Sequence, residues 1–140
     1  MITGERNVSA YEGSPPVDEN DRKIADGPLY DRAQVIALVR RKALSLWTRG
    51  AAEDAAKWMI DVPDVCRLVE QAVTQGRYIG SEWCIQKPGG PWVASDAYAV
   101  TVSEWNAHAQ RELDTTWYLK FSISCTGNVL LSVSNHPEGC

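Results

Sequence analysis

Residues 116–135 read TWYLKFSISCTGNVLLSVSN, and the alternation within them decides the fold class. Trp117, Leu119, Phe121, Ile123 and Cys125 take one set of alternate positions, while Tyr118, Lys120, Ser122 and Ser124 take the other. Successive side chains of a strand point to opposite faces, so the pattern predicts a strand with one apolar and one polar face. Thr126-Gly127-Asn128 supplies a turn, after which Val129, Leu131 and Val133 alternate with Ser132, Ser134 and His136. Two such runs around a short Gly-containing turn predict a β-hairpin. With both apolar faces in the core, Tyr118, Lys120, Ser132, Ser134 and His136 share a single exposed sheet surface.

Working towards the N-terminus, residues 77–86 and 92–101 show the same period of two. They flank Lys87-Pro88-Gly89-Gly90-Pro91, too rich in Pro and Gly to be anything but a loop. Residues 103–113 read as a helix, with Ser103 as its cap. Before the strands the period is helical. Asp31 caps a helix carrying Val35, Ile36 and Val39, whose basic end Arg40, Arg41 and Lys42 suits the helix dipole. A short apolar stretch, Leu44 to Trp47, leads to Thr48, which caps a second helix over 51–59. Asp61 and Pro63 start a third, in which Val62, Val65, Cys66, Val69, Ala72 and Val73 form a core-facing stripe closing at Gly76. The expected class is α+β, with N-terminal helices packed on an antiparallel β-sheet.

The 140 residues have room for one domain with a modest core, and 44% hydrophobic against 23% charged residues is an ordinary globular balance. No apolar run reaches the roughly 18 residues of a membrane span, and MITGERNVSAYEG lacks the apolar stretch of a secretory signal. No membrane association and a cytoplasmic location are expected. Residues 1–28 are rich in Gly, Pro and charge, which predicts a flexible acidic arm ahead of a single domain over 29–140. The net charge of −4 excludes a broad basic footprint for nucleic acid. Residues 1–30 hold three basic and six acidic groups, so −3 of that charge belongs to the arm and any anion contact in the body must be local.

Cys66, Cys84, Cys125 and Cys140 show no zinc-site spacing, so reduced, mostly buried thiols and no metal are expected, Cys140 being incidental. No phosphate-binding glycine loop, dinucleotide fingerprint or nucleophile elbow occurs, which removes ATP- and NAD-dependent chemistry and leaves no cofactor. The six tryptophans are expected in the core or at partner surfaces rather than as stacking platforms, and His108 on the surface. The chemistry therefore sits on the polar sheet face. A phenol, an ammonium and an imidazole at Tyr118, Lys120 and His136 can move a proton and stabilise charge on a phosphate, as metal-free RNA cleavage requires. An ordinary solvated sheet face has the same composition.

The order of these elements over residues 29–137 resembles the MqsR-like (motility quorum-sensing regulator) family of toxin-antitoxin endoribonucleases, which have a RelE-like fold. Trp92, Asp96 and Tyr98 are similar to a family Trp-Gln-Asp-Val-Tyr segment, with two extra residues between Trp and Asp. Tyr118-Leu119-Lys120 matches a family Tyr-Leu-Lys strand, and Ser134-Asn135-His136 resembles its closing Ser-Phe-His. The family's Phe-Tyr-Lys-Ser stands here as Tyr78-Ile79-Gly80-Ser81, so Gly80 replaces a Lys that Lys87 could supply from the loop. The stretch Thr101 to Asp114 is an insertion.

The resemblance implies a RelE/MqsR-like microbial RNase fold and a type II toxin that cleaves mRNA and is neutralised by a cognate antitoxin protein. It implies Tyr118, Lys120 and His136 as catalytic residues, and Lys87, Asp96, Tyr98, Arg111 and Ser134 as RNA-binding ones. The alternative is a non-catalytic protein-binding or immunity-type module on the same scaffold.

Overall fold

The computed structural model describes residues 6–138, so Cys140 and the first five residues of the expected arm lie outside it. The chain is mixed α and β. Its elements run β1 (Lys23–Ile24), α1 (Arg32–Arg40), β2 (Leu44–Leu46), α2 (Arg49–Trp58), α3 (Val62–Gln75), β3 (Arg77–Ile85), β4 (Trp92–Asn106), β5 (Arg111–Ile123) and β6 (Leu130–Pro137). The strands form one six-stranded sheet of order β1-β3-β4-β5-β6-β2, antiparallel except for the parallel β2–β6 pair.

Each helix begins where a side chain can satisfy its free N–H groups. Asp31 accepts from Gln34 N, Thr48 Oγ1 from Ala51 N, and Asp61 and Asp64 cap one another reciprocally at the start of α3. The α3 stripe buries Val65, Leu68, Val69 and Ala72 with Val35, Leu38 and Val39 of α1 in the same core. Trp117, Leu119, Phe121 and Ile123 of β5 complete it from the sheet. The apolar face of β5 is thus the core face that its alternation predicts.

Three expectations are corrected. Residues 103–113 are not a helix: β4 continues to Asn106 and β5 begins at Arg111, with Val102 opposite Thr115 and Glu104 opposite Leu113. Thr101 and Thr116 join their hydroxyls at 2.7 Å, and Ser103 donates to Glu112 at 3.2 Å. Cross-strand pairing between β-branched and polar residues outweighs the weak capping signal at Ser103.

The second correction concerns the arm. Residues 6–10 lie between the diverging ends of β4 and β5, with isolated bridges from Asn7 to Trp92 and from Ser9 to Ser124. Val8 N donates to Trp92 O, Trp92 N to Arg6 O, Ala10 N to Ile123 O and Cys125 N to Val8 O. Where β4 and β5 separate, their inner backbone groups need partners, and the N-terminal segment provides them. Residues 23–24 then pair with β3 as β1.

The third correction is a register shift between Lys120 and Phe121, where β6 carries Val133 as an extra residue. This β-bulge turns Ser132 to the core face, where it is buried and donates to Asn135 Oδ1 at 2.6 Å. Leu131, Val129 and Val133 pass to the opposite face and pack with Cys84, Val93, Val8 and Trp47 in a smaller apolar cluster. The Val133 carbonyl accepts from Thr48 Oγ1, so the bulge is tied to the cap of α2.

Candidate active site

On the face of the sheet away from α1 and α3, the register sets Tyr118 opposite His136 and Lys120 opposite Ser134. The Tyr118 and His136 rings stack with centroids 5.3 Å apart and planes 20° apart. Lys120 Nζ stands 5.8 Å from the centre of the Tyr118 ring and forms an ion pair with Glu82 Oε1. Glu82 belongs to β3, two strands from Lys120. The pair closes over β4 because β4 presents only Ser95, opposite Glu82, and Ala97, opposite Lys120.

Burial by itself lowers the Lys120 pKa, but Cys84, Glu82 and Tyr118 together raise it above the ordinary value, so the ammonium stays charged. The Cys84 thiol beneath it is pushed up by burial, against the pull of Lys120. His136 Nδ1 lies 2.9 Å from Pro137 O. A carbonyl only accepts, so this contact puts the proton on Nδ1 and leaves Nε2 to exchange a proton with a ligand.

A cavity of about 340 Å³ adjoins the row, lined among others by Lys23, Ile79, Gly80, Glu82, Ala97 and Tyr118. Lys23 is the cross-strand partner of Glu82 and Gly80 that of Ala97. A second bulge, at Ile79 between Tyr78 and Gly80, leaves Ile79 43% exposed at the rim.

Four of the expected residues therefore come together: Tyr118, Lys120, Ser134 and His136. The others do not join them. Asp96 is buried on the core face, where its carboxylate accepts from Leu29 N at 3.0 Å, Tyr30 N at 3.1 Å and Ser81 Oγ at 2.6 Å. It fastens the start of α1 to β4, and burial raises its pKa against those hydrogen bonds. Tyr98 is also buried, stacked on Phe121 at 5.7 Å. Lys87 lies in the β3–β4 loop and Arg111 at the far end of the β4–β5 hairpin, beyond the 15 residues of β4. At about 3.3 Å per residue the two cations are roughly 45 Å apart along the strand.

Glu82 and Lys23 on this face are not among the residues that the sequence points to. The period of two across 77–86 places Glu82 and Cys84 on one face, but only the strand order brings that face to Lys120. For Lys23 no local signal exists, since it sits in a Pro- and Gly-rich segment. Among the described residues no three His, Cys, Asp or Glu side chains gather closely enough to hold a metal ion, and no helix is long and apolar enough to cross a membrane. Comparison of the chain with protein-family models, curated proteins and solved structures returned no match.

Proposed function

We propose that the chain is a metal-independent endoribonuclease of the MqsR-like type, with a RelE-like fold, cleaving mRNA as a toxin restrained by an antitoxin protein. The observation that carries the reading is the row Glu82, Lys120, Tyr118, His136 on one sheet face. RNA phosphodiester cleavage without metal needs a base for the ribose 2′-hydroxyl, a cation for the phosphorane charge and an acid for the leaving 5′-oxygen. The row supplies a carboxylate and an imidazole at its ends with an ammonium between them. Glu82 takes the 2′-hydroxyl proton, the 2′-oxygen attacks phosphorus, and the P–O5′ bond breaks as His136, in its imidazolium form with Nδ1–H held by the Pro137 carbonyl, gives the 5′-oxygen the proton of Nε2. Lys120 stabilises the developing charge, and the ring of Tyr118 sets the imidazole. The products are a 2′,3′-cyclic phosphate and a 5′-hydroxyl.

Incubation of the purified protein with RNA in EDTA tests this. Fragments ending in cyclic phosphate are expected, with rates reduced roughly 10²- to 10⁴-fold in Glu82→Gln and His136→Ala. Intact RNA, or cleavage indifferent to both substitutions, refutes the reading.

A second reading, a protein-binding or immunity-type module, is favoured by Trp105, 63% exposed on the β4–β5 hairpin. Inducible expression separates the two. Growth arrest relieved by a neighbouring small protein supports the toxin, and harmless accumulation in a stable protein complex supports the binder.

A further inference from the structure

We infer that the cavity beside Tyr118 is a subsite for one nucleotide of a single-stranded RNA, with Lys23 as the cation that holds its phosphate. The inference rests on the endoribonuclease reading of the same face. Its starting point is a charge imbalance. Lys120 is already paired with Glu82, whereas Lys23, directly across from Glu82, makes no ion pair or side-chain hydrogen bond among the described residues. Directly opposed residues share a sheet face, so Lys23 lines the cavity from the side of the sheet that carries the catalytic row.

The cavity itself suits a nucleotide better than a bare anion. Its volume, about 340 Å³, falls at the lower end of small-ligand sites. Gly80 and Ala97 pair across β3 and β4 and give it a floor with almost no side chain. A Cβ added at Gly80 would meet no atom within 4 Å, so that floor is open space. Ile79 and the Tyr118 ring offer apolar surface for a base. An aromatic wall with a cation at its edge is the arrangement by which proteins hold single strands without reading their sequence. Lys23 also answers the acidity of the chain, because a single local cation is enough for one phosphate.

The test is binding of a 2′-O-methyl oligoribonucleotide, which cannot be cleaved, to the full chain by fluorescence anisotropy. Lys23→Gln is expected to weaken binding about tenfold. It should also lower the slope of log Kd against log salt concentration by about 0.7, as loss of one phosphate contact on a single strand requires. Gly80→Leu fills the cavity from open space and is expected to remove binding while leaving the melting temperature near that of the unaltered chain. Lys87→Gln, remote from the cavity, is expected to bind normally. Unchanged affinity in both Lys23→Gln and Gly80→Leu overturns the subsite, as does failure of the unaltered chain to bind. If RNA stays intact but Lys23→Gln still loses the oligonucleotide, the subsite stands and the cleavage reading alone falls.

Discussion

Lys120 of β5 and Glu82 of β3 close on one another across the intervening strand β4, over Ser95 and Ala97. An ordinary cross-strand pair joins neighbouring strands, whereas this one ties three. Its Lys side chain is 14% exposed and its Glu 39%, so the pair lies between a solvated surface bridge and a buried one. Removing one partner leaves the other half-buried and unpaired.

A double-mutant cycle measures that coupling. Lys120→Met and Glu82→Gln are each expected to lower stability to urea by about 1 to 2 kcal/mol, with Lys120→Met the larger loss because Lys120 is the more buried. The double variant should lose about 1 kcal/mol less than the sum of the two. Strict additivity would mean that the contact contributes nothing to folding.

Ser9 tests whether the N-terminal segment is part of the fold. Its buried hydroxyl accepts from Ala94 N at 3.1 Å and donates to Asn7 Oδ1 at 2.5 Å. Ser9→Ala leaves a buried N–H without a partner and is expected to cost about 1 to 3 kcal/mol in urea unfolding. Deletion of residues 1–11 removes the backbone bonds to both β4 and β5 and should cost more. Equal stability of the truncated chain would show that the segment is dispensable.

Tyr98 contributes to the alkaline limb of stability. Burial, with help from Asp96 and Tyr78, pushes its phenol up to about 12 from an ordinary 10. Below pH 10 the phenol is neutral in both folded and unfolded chains and contributes no pH dependence. Between pH 10 and 12 the unfolded chain loses the proton that the folded chain keeps, so stability falls as pH rises. Tyr98→Phe is expected to change stability little at pH 7 and to recover about 2 kcal/mol of the loss at pH 12. Urea midpoints across that range check it, and identical alkaline limbs for the two proteins would be the contrary result.

Local chemistry explains what was legible in the sequence. The caps Asp31, Thr48 and Asp61, the α3 stripe and the β5–β6 hairpin all follow from spacings of a few residues, and the hairpin register brings Tyr118, Lys120, Ser134 and His136 together. What stayed hidden depends on partners distant in the chain. The bulge at Val133 reverses Ser132 and Leu131, and nothing in the alternation itself marks where a ladder gains a residue. The place of residues 6–10 depends on the gap between β4 and β5, and the nearness of Glu82 to Lys120 depends on strand order. The family resemblance implies RNA binding by Asp96, yet Asp96 is buried on the core face. Its burial follows from the need of Leu29 N and Tyr30 N for an acceptor.

The β4–β5 hairpin beyond Thr101 and Thr116 gives the last prediction. β3 pairs with β4 only as far as Ala99, and β6 pairs with β5 only as far as Trp117, so among the described residues the outer hairpin carries no third strand. Trp105 is exposed there, and the buried core includes Val100 and Trp117 but none of the described side chains from 103 to 114. A two-stranded ribbon contributes little to a fold that it does not cover. Replacing residues 104–113 by Asn-Gly, which suits a two-residue turn between Ser103 and Asp114, is expected to shift the melting temperature by no more than about 4 °C. On the endoribonuclease reading, cleavage should persist, because the row from Glu82 to His136 lies wholly inside the shortened sheet. Trp105→Ser in the intact chain should likewise stay within about 0.5 kcal/mol of the unaltered protein in urea. A collapse of stability on shortening would mean that the ribbon folds back onto the sheet. Loss of cleavage with stability intact would place a substrate contact on the ribbon itself.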